Sequence, residues 1–183
     1  NTTGSYNTAS GNSSLYLNTT GDYNTASGYY SLYSNTTGGY NTASGYYSLK
    51  NNTTGSNNTA SGRESLNNNT TGSHNTASGY YSLSSNTTGN YNTAIGNNTD
   101  VSAVDATNQT VIGYDATGQA DNSVVLGNSD VTAVYMAEDS GATVYAADAV
   151  FSGTITGDLT GDVTGDVTGA LTGNVTGDVT GDV

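Results

Sequence analysis

The sequence lacks cysteine, proline and tryptophan, and Lys50 and Arg63 are the only basic residues among its 183. The absence of cysteine excludes a disulfide scaffold and a thiolate metal site. Two basic side chains against 15 acidic ones cannot neutralise a phosphate backbone, so nucleic acid is excluded as a partner. No apolar run approaches the roughly 18 residues of a spanning helix, so this segment is not expected to insert into a membrane.

Apolar residues are also scarce, at 33% of the chain against the roughly 45–50% of globular domains. Together with a formal charge of −13, this composition is typical of disordered chains. An ordered chain with this composition needs something other than one conventional core. The periodicity of the sequence therefore decides between order and disorder.

The sequence repeats with a period of 17. The tetrapeptide NTTG begins at residues 1, 18, 35, 52, 69 and 86, and NTASG begins at 7, 24, 41, 58 and 75 before returning as NTAIG at 92. One phase of the repeat holds leucine, at Leu15, Leu32, Leu49, Leu66 and Leu83. A disordered linker has no need to keep phase, whereas stacked coils do, so the pattern predicts a solenoid.

The residue types favour β-coils over helices. Thr, Tyr, Ser and Asn dominate, no apolar stripe with a 3.6-residue period is present, and 17 residues cannot hold a helix pair with its turns. Each coil is predicted to contain two or three short strands joined at Gly and Asn corners. Each side chain then lies above its own copy, so Asn can form amide ladders, Tyr can stack, and the leucines form one inward row.

The repeat changes character near its end. The fourth position of the pentapeptide is Ser in five units and then Ile95, Ile112 and Leu126, within QTVIG (109–113) and SVVLG (123–127). We therefore predict six 17-residue coils over residues 1–100 and shorter, more apolar closing coils over 101–130. Since each coil offers little apolar volume besides one Ala and one Leu, the coils are expected to associate, and a homotrimer is the simplest closed arrangement.

Units reading NTASGYYSLYSNTTG, followed by NTAIG, VIGYDATG and SVVLGNS, resemble the head repeats of trimeric autotransporter adhesins. They also resemble related repeats in bacteriophage tail fibres and other bacterial surface proteins. The resemblance covers roughly residues 1–134 and implies an all-β fold, a left-handed parallel β-roll, three of which pack into a trimer. The 17-residue coil is longer than the usual adhesin unit and no coiled-coil stalk is visible, so adhesin and tail fibre both stay open.

Two further segments follow the repeat. Residues 131–153 alternate around a Glu138–Gly141 turn, which predicts a hairpin neck that closes the roll with Val134, Met136, Val144, Val150 and Phe151. Residues 154–183 are TGDV-type tetrapeptides, which predict a thin extended rod, built either from three chains or as a triangular coil of one chain. Both repeat arrays are cut in phase, so the sequence is expected to be part of a longer protein.

No catalytic residue, metal site or cofactor is predicted. His74 occupies the position that Tyr6, Tyr23, Tyr40 and Tyr91 hold in other units, which favours ring stacking. The Asp row of the tetrapeptides could take Ca²⁺, but it is interrupted and lacks the calcium-binding solenoid pattern. Arg63 and Glu64 are adjacent and are expected to point apart, and Lys50 is expected to be a solvated surface group.

Tyrosine pairs form the candidate surface-binding site. They share one phase of the repeat: Tyr29 and Tyr30, Tyr46 and Tyr47, and Tyr80 and Tyr81. One ring of each pair should face outward, where it can stack on sugar rings, although stacking between coils is the favoured role. The sequon asparagines Asn1, Asn18, Asn35, Asn52, Asn69 and Asn86 would be bare in a bacterial or phage protein and glycosylated in a eukaryote.

These patterns predict a non-enzymatic structural and adhesive segment of an extracellular fibre, located on a cell surface or virion. Its expected partners are copies of itself, as a homotrimer or fibril, and glycans of a host surface. One alternative is the subunit of a self-assembling extracellular filament. Another is an ice-binding solenoid that uses its Thr rows, which the Tyr pairs and trimer packing disfavour.

Overall fold

A computed structural model describes residues 1–134. It contains eight short strands, one for each coil and not the two or three predicted. They are β1 Thr8–Ser10, β2 Thr25–Ser27, β3 Thr42–Ser44, β4 Thr59–Ser61, β5 Thr76–Ser78, β6 Thr93–Ile95, β7 Gln109–Ile112 and β8 Ser123–Leu126.

The strands form one parallel sheet in chain order, from β1 to β8. Each residue of β1 to β6 pairs with its own copy 17 residues later, as Ala26 pairs with Ala43. The last step is shorter, since Gln109 pairs with Ser123. This register confirms the all-β parallel solenoid with 17-residue coils, and no helix occurs in residues 1–134.

Burial alternates along β2 to β7 because successive side chains point to opposite faces. The central Ala of β2 to β5 is fully buried, while the flanking Thr and Ser face outward, and in β6 Ala94 is buried between Thr93 and the outward-facing Ile95. The predicted leucine row is buried as well, with Leu32, Leu49, Leu66 and Leu83 wholly inaccessible. The apolar interior is thus one column of Ala and one column of Leu.

Asparagine side chains fill much of the remaining interior. The NTTG asparagines stack in a column in which Nδ2 of Asn52 donates to Oδ1 of Asn35 at 2.8 Å and to the Gly55 carbonyl at 2.9 Å. Asn18, Asn35, Asn69 and Asn86 repeat this arrangement. The predicted amide ladder is therefore present, and it lies inside the coils.

A second amide column comes from the pentapeptide. Oδ1 of Asn41 accepts the backbone N–H of Asn58 at 3.0 Å, and Nδ2 of Asn41 donates to the Gly55 carbonyl at 2.9 Å. Buried serines add a third column, in which Oγ of Ser48 donates to the Gly45 carbonyl at 3.2 Å. These hydrogen-bonded columns close the coil without a large apolar core, a contribution that counting apolar residues alone leaves out.

The corners differ from those predicted. Positive backbone φ angles occur at Gly28 and its copies, but also at bulky residues, among them Tyr23 at 56°, Tyr30 at 55° and Leu32 at 50°. A left-handed conformation costs a residue with a Cβ roughly 1–2 kcal/mol. Ring stacking of Tyr23 on Tyr6 and on Tyr40 and burial of Leu32 offset this cost. Corner choice therefore depends on contacts between coils as well as on local preference.

Glycine is needed where neighbouring coils approach most closely. Gly45 has a φ of 137°, and a Cβ there would lie 2.5 Å from the carbonyl oxygen of Gly62. The same conformation and the same contact recur at this position in the neighbouring coils. The glycine of the pentapeptide therefore serves both the turn and the stacking distance.

The last coils keep a polar interior. Gln109 takes the place of the pentapeptide Asn and is fully buried. Its Oε1 accepts a hydrogen bond from the Ser102 backbone N–H at 3.1 Å. Its Nε2 donates to Ser102 Oγ at 2.6 Å and to Asp121 Oδ1 at 3.2 Å.

Of the predicted neck only the first residues are described, with Val134 exposed, and the rest of the neck and the tetrapeptide rod lie outside the described residues. Residues 1–134 contain no helix able to cross a membrane.

Candidate functional site

The tyrosine pairs stand immediately after the strands. In β2 the chain passes from Ser27 through Gly28 to Tyr29 and Tyr30, and the second tyrosine takes a left-handed backbone conformation. This turn leaves the first ring of each pair outside: Tyr29, Tyr46 and Tyr80 are 42%, 41% and 43% exposed. The second ring of each pair is half-buried. The expectation that one tyrosine of each pair faces outward is met.

The rings contact one another within and between coils. Tyr29 stacks on Tyr46 with centroids 5.4 Å apart and an interplanar angle of 9°. Tyr46 and Tyr47 lie 4.1 Å apart, and Tyr29 and Tyr30 lie 4.5 Å apart. The structure thus brings together Tyr29, Tyr30, Tyr46 and Tyr47, which follow β2 and β3, as one aromatic surface. We call this surface, together with Tyr80 and Tyr81 after β5 and with Arg63 between Tyr46 and Tyr80, the tyrosine row.

The fourth coil continues the row with a cation. The Arg63 guanidinium lies 5.5 Å from the ring centroid of Tyr46 on one side and 5.5 Å from that of Tyr80 on the other. The expectation that Arg63 and Glu64 point apart is wrong, because Glu64 Oε1 accepts from Arg63 Nε at 3.1 Å and lies 3.1 Å from Nη2. Glu64 is only 9% exposed, and the long arginine side chain folds back to neutralise it.

Lys50 also joins this surface. Its ammonium lies 4.5 Å from the ring centroid of Tyr47, within the distance of a cation–π interaction. The expectation of a purely solvated lysine is therefore wrong. The two basic side chains of the chain both lie against one tyrosine pair, Tyr46 and Tyr47.

The surroundings shift the pKa values of several of these groups. Partial desolvation and the neighbouring Tyr30 raise the pKa of Tyr29. Hydrogen bonding with Tyr47 raises the pKa of Tyr46, and hydrogen bonding with Glu64 raises the pKa of Tyr81. In Tyr29, Tyr46 and Tyr81 the surroundings therefore favour the neutral phenol over the phenolate.

A second aromatic row was not singled out as a surface from the sequence. Tyr6, Tyr23 and Tyr40 stack with centroids 4.7 and 4.9 Å apart, and all three are exposed. His74 stacks on Tyr91 at 4.9 Å, as its shared position predicts. The phase of these residues was visible in the sequence, but their left-handed corner conformation, which turns the rings outward, was not.

The outer face of the sheet carries two rows of hydroxyls. The Thr and Ser of the strands are exposed in β2 to β5. In the last strands the same face becomes apolar, with Ile95, Ile112 and Leu126 exposed by 43%, 38% and 47%. We call these three residues, together with Val124, which is 67% exposed, the apolar patch.

The repeated sequons are not accessible in the folded coils. Asn35, Asn52, Asn69 and Asn86 are fully buried and Asn18 is 1% exposed, each held by the amide ladder. The expectation of heavy glycosylation at these positions in a eukaryotic protein is therefore wrong for the folded chain. Asn1, at the start of the first coil, is exposed.

Within residues 1–134, no three His, Cys, Asp or Glu side chains come together as a metal site. The aromatic and basic side chains of the tyrosine row are instead suited to stacking and charge-assisted hydrogen bonding. Comparison of the chain with protein-family models, with curated proteins and with solved structures finds no match.

Proposed function

We propose that this chain is a non-enzymatic structural and adhesive segment of an extracellular fibre, and that its tyrosine row contacts glycans of a host surface. The observation that carries the proposal is the row itself. The exposed edges of the Tyr29, Tyr46 and Tyr80 rings, with Arg63 between Tyr46 and Tyr80, follow the stacking direction of the coils.

A stiff scaffold suits this role. Most interior polar groups are hydrogen-bonded between coils, and within the described residues only Asn67 Oδ1 is a buried side-chain atom without a partner. Side chains on such a scaffold keep fixed spacing, because each coil is bonded to the next. Tyr rings lose little conformational entropy on contact and present an apolar face with a polar edge, which suits the faces and hydroxyls of sugars.

The adhesive role can be tested with immobilised glycans and the full chain. Replacing Tyr46 and Tyr80 by alanine should abolish binding, because it removes two exposed tyrosine rings of the proposed contact surface. Tyr40→Ala is the matched control, since it removes a stacked, exposed ring from the second aromatic row. Binding that survives Y46A/Y80A would contradict the assignment of the site, and a wild-type chain that binds no glycan would contradict the adhesive role.

Self-association is the second part of the proposal. The apolar patch is exposed on a face whose earlier coils carry hydroxyls, and burial of large aliphatic side chains favours association. We propose a homotrimer, which sedimentation would report as three times the chain mass. A mass that grows with concentration would favour a self-assembling filament, and a monomer would contradict both.

Ice binding is a second candidate, favoured by the paired hydroxyl rows on β2 to β5. Thr and Ser alternate with buried Ala there, and the tyrosines lie beyond the glycine that ends each strand, so no aromatic ring interrupts the rows within the strands. Inhibition of ice recrystallisation that is lost in T42K/T59K and kept in Y46A/Y80A would establish this function. No inhibition by the wild-type chain would exclude it.

A further inference from the structure

The charge of this chain is distributed unevenly. Between residues 23 and 99 the charged side chains are Lys50, Arg63 and Glu64, a sum of two positive and one negative, or +1. The other 14 of the 15 acidic residues lie outside that segment, which contains both basic residues. The coils that carry the tyrosine row therefore hold all of the positive side-chain charge of the chain and are the segment with a net positive sum.

Each of the two basic groups contacts one ring of the tyrosine pair Tyr46 and Tyr47. Arg63 is between Tyr46 and Tyr80, and Lys50 lies over Tyr47, the partner of Tyr46. The arginine side chain is 56% exposed. A cation held against an aromatic face and open to solvent can accept an anion from outside, provided that it keeps free donors.

Glu64 leaves such donors free. Glu64 Oε1 accepts a hydrogen bond from Arg63 Nε and lies close to Arg63 Nη2. Arg63 Nη1 has no hydrogen-bond partner within the described residues. Because Glu64 is almost buried and Arg63 is not, the pair fixes one edge of the guanidinium and turns the other edge to solvent. A planar, fixed guanidinium edge matches a carboxylate.

We propose that the tyrosine row recognises an acidic saccharide, one that carries a carboxylate on its sugar ring. The inference rests on the adhesive role proposed above and specifies its ligand. The sugar rings lie along the exposed edges of Tyr46 and Tyr80, and the carboxylate binds the Nη1 edge of Arg63, with the Lys50 ammonium adding attraction. An acidic polysaccharide would be repelled by the rest of this chain, so binding is confined to these coils.

The test compares two forms of one probe by calorimetry with the full chain. The probe is an octasaccharide of alternating glucuronate and N-acetylglucosamine, and the reference is the same octasaccharide with its carboxylates methyl-esterified. We expect the acid form to bind about tenfold more tightly, as for the loss of one charge-assisted hydrogen bond. Added salt should weaken the acid form alone.

Two variants copy neighbouring coils and so preserve the fold. R63Y/E64Y installs the Tyr pair found in the second, third and fifth coils, and Lys50→Ser installs the residue type of Ser84, which holds the same position directly after Leu83 in the fifth coil. Both together should erase the preference for the acid form, while Y46A should weaken both forms. A wild-type chain that binds acid and ester equally would overturn this inference and leave the adhesive role intact. A wild-type chain that binds neither would overturn both.

Discussion

The coils of β2 to β5 and the closing coils of β6 to β8 differ outside, while their interior is built alike as far as β7. In β2 to β7 a small or β-branched apolar residue of the strand is buried, as in Ala43 and Val111, next to a buried amide, as in Asn41 and Gln109. On the outer face the hydroxyl of Ser44 is replaced by the aliphatic side chains of Ile112 and Leu126. The interior is conserved as far as β7 while one surface changes.

This difference separates folding from association. If the apolar side chains of the last coils were needed to hold a coil together, they would be buried within the chain, as Leu49 and Val111 are. They are exposed instead, so their apolar area remains available for a partner. The hydrogen-bonded amide columns hold the coil, and the apolar patch is the surface on which our proposal of association with another copy of the chain rests.

The largest loss of stability is expected from removing one amide donor of the buried Asn column. Asn52→Asp places a carboxylate where Nδ2 now donates to Asn35 and Gly55, which leaves Asn35 Oδ1 unpaired beside a buried charge, while the Gly55 carbonyl keeps Asn41 as its donor. We expect a loss of about 3 kcal/mol or more in the free energy of unfolding, measured by denaturant titration. Asn51→Asp is the control, since this partly exposed neighbour should change stability by less than about 0.5 kcal/mol. Equal effects would contradict the ladder.

A second test concerns the close approach of coils. Gly45→Ala should cost about 2–3 kcal/mol, because its φ is strained for alanine and the new Cβ would meet the Gly62 backbone at 2.5 Å. Gly39→Ala is the matched control, since its Cβ would find its nearest neighbour at 3.1 Å and Asp22, Ser56 and Ser73 occupy its position elsewhere. A lower melting temperature for G39A than for G45A would contradict the stacking geometry.

The tyrosine row should make stability depend on alkaline pH. The pKa values of Tyr29, Tyr46 and Tyr81 are raised in the folded chain, so the native state holds these protons more tightly than the unfolded state. Their contribution is present below a pH of about 10 and is lost as pH rises through the folded pKa values. Absorbance at alkaline pH should show these three rings ionising at a higher pH in the folded chain than in the unfolded chain. Removing the Glu64 charge with E64Q should lower the pKa of Tyr81; an unchanged value would contradict this assignment.

The smallest effect is expected at His74. His74→Tyr restores the residue found in the same position of four other units, and the ring can still stack on Tyr91. The melting temperature should stay within a degree or so, and glycan binding should be unchanged. Loss of binding in H74Y would indicate that the second aromatic row, and not the tyrosine row, forms the site.

Much of the fold was predictable because a strict period places each residue above its own copy. Position alone therefore predicts the leucine row, the Asn ladders and the stacked tyrosines. The left-handed corners at Tyr30 and Leu32 were not predictable, since neither residue prefers them and only contacts between coils make them favourable. The same holds for Arg63 and Glu64, whose adjacency in sequence says nothing about how far a long side chain can fold back toward its neighbour.

The most direct test of the account is the mass of the full chain before and after the apolar patch is made polar. I95S/I112S/V124T/L126S gives the last strands the outward-facing Thr and Ser that β1 to β5 carry, so the interior and the fold should be kept. Analytical ultracentrifugation should find three times the chain mass for the wild type and a folded monomer for the variant. A variant that remains trimeric, or a wild type that is already a stable monomer, would contradict the claim that amides hold the coil and the apolar patch joins the chains.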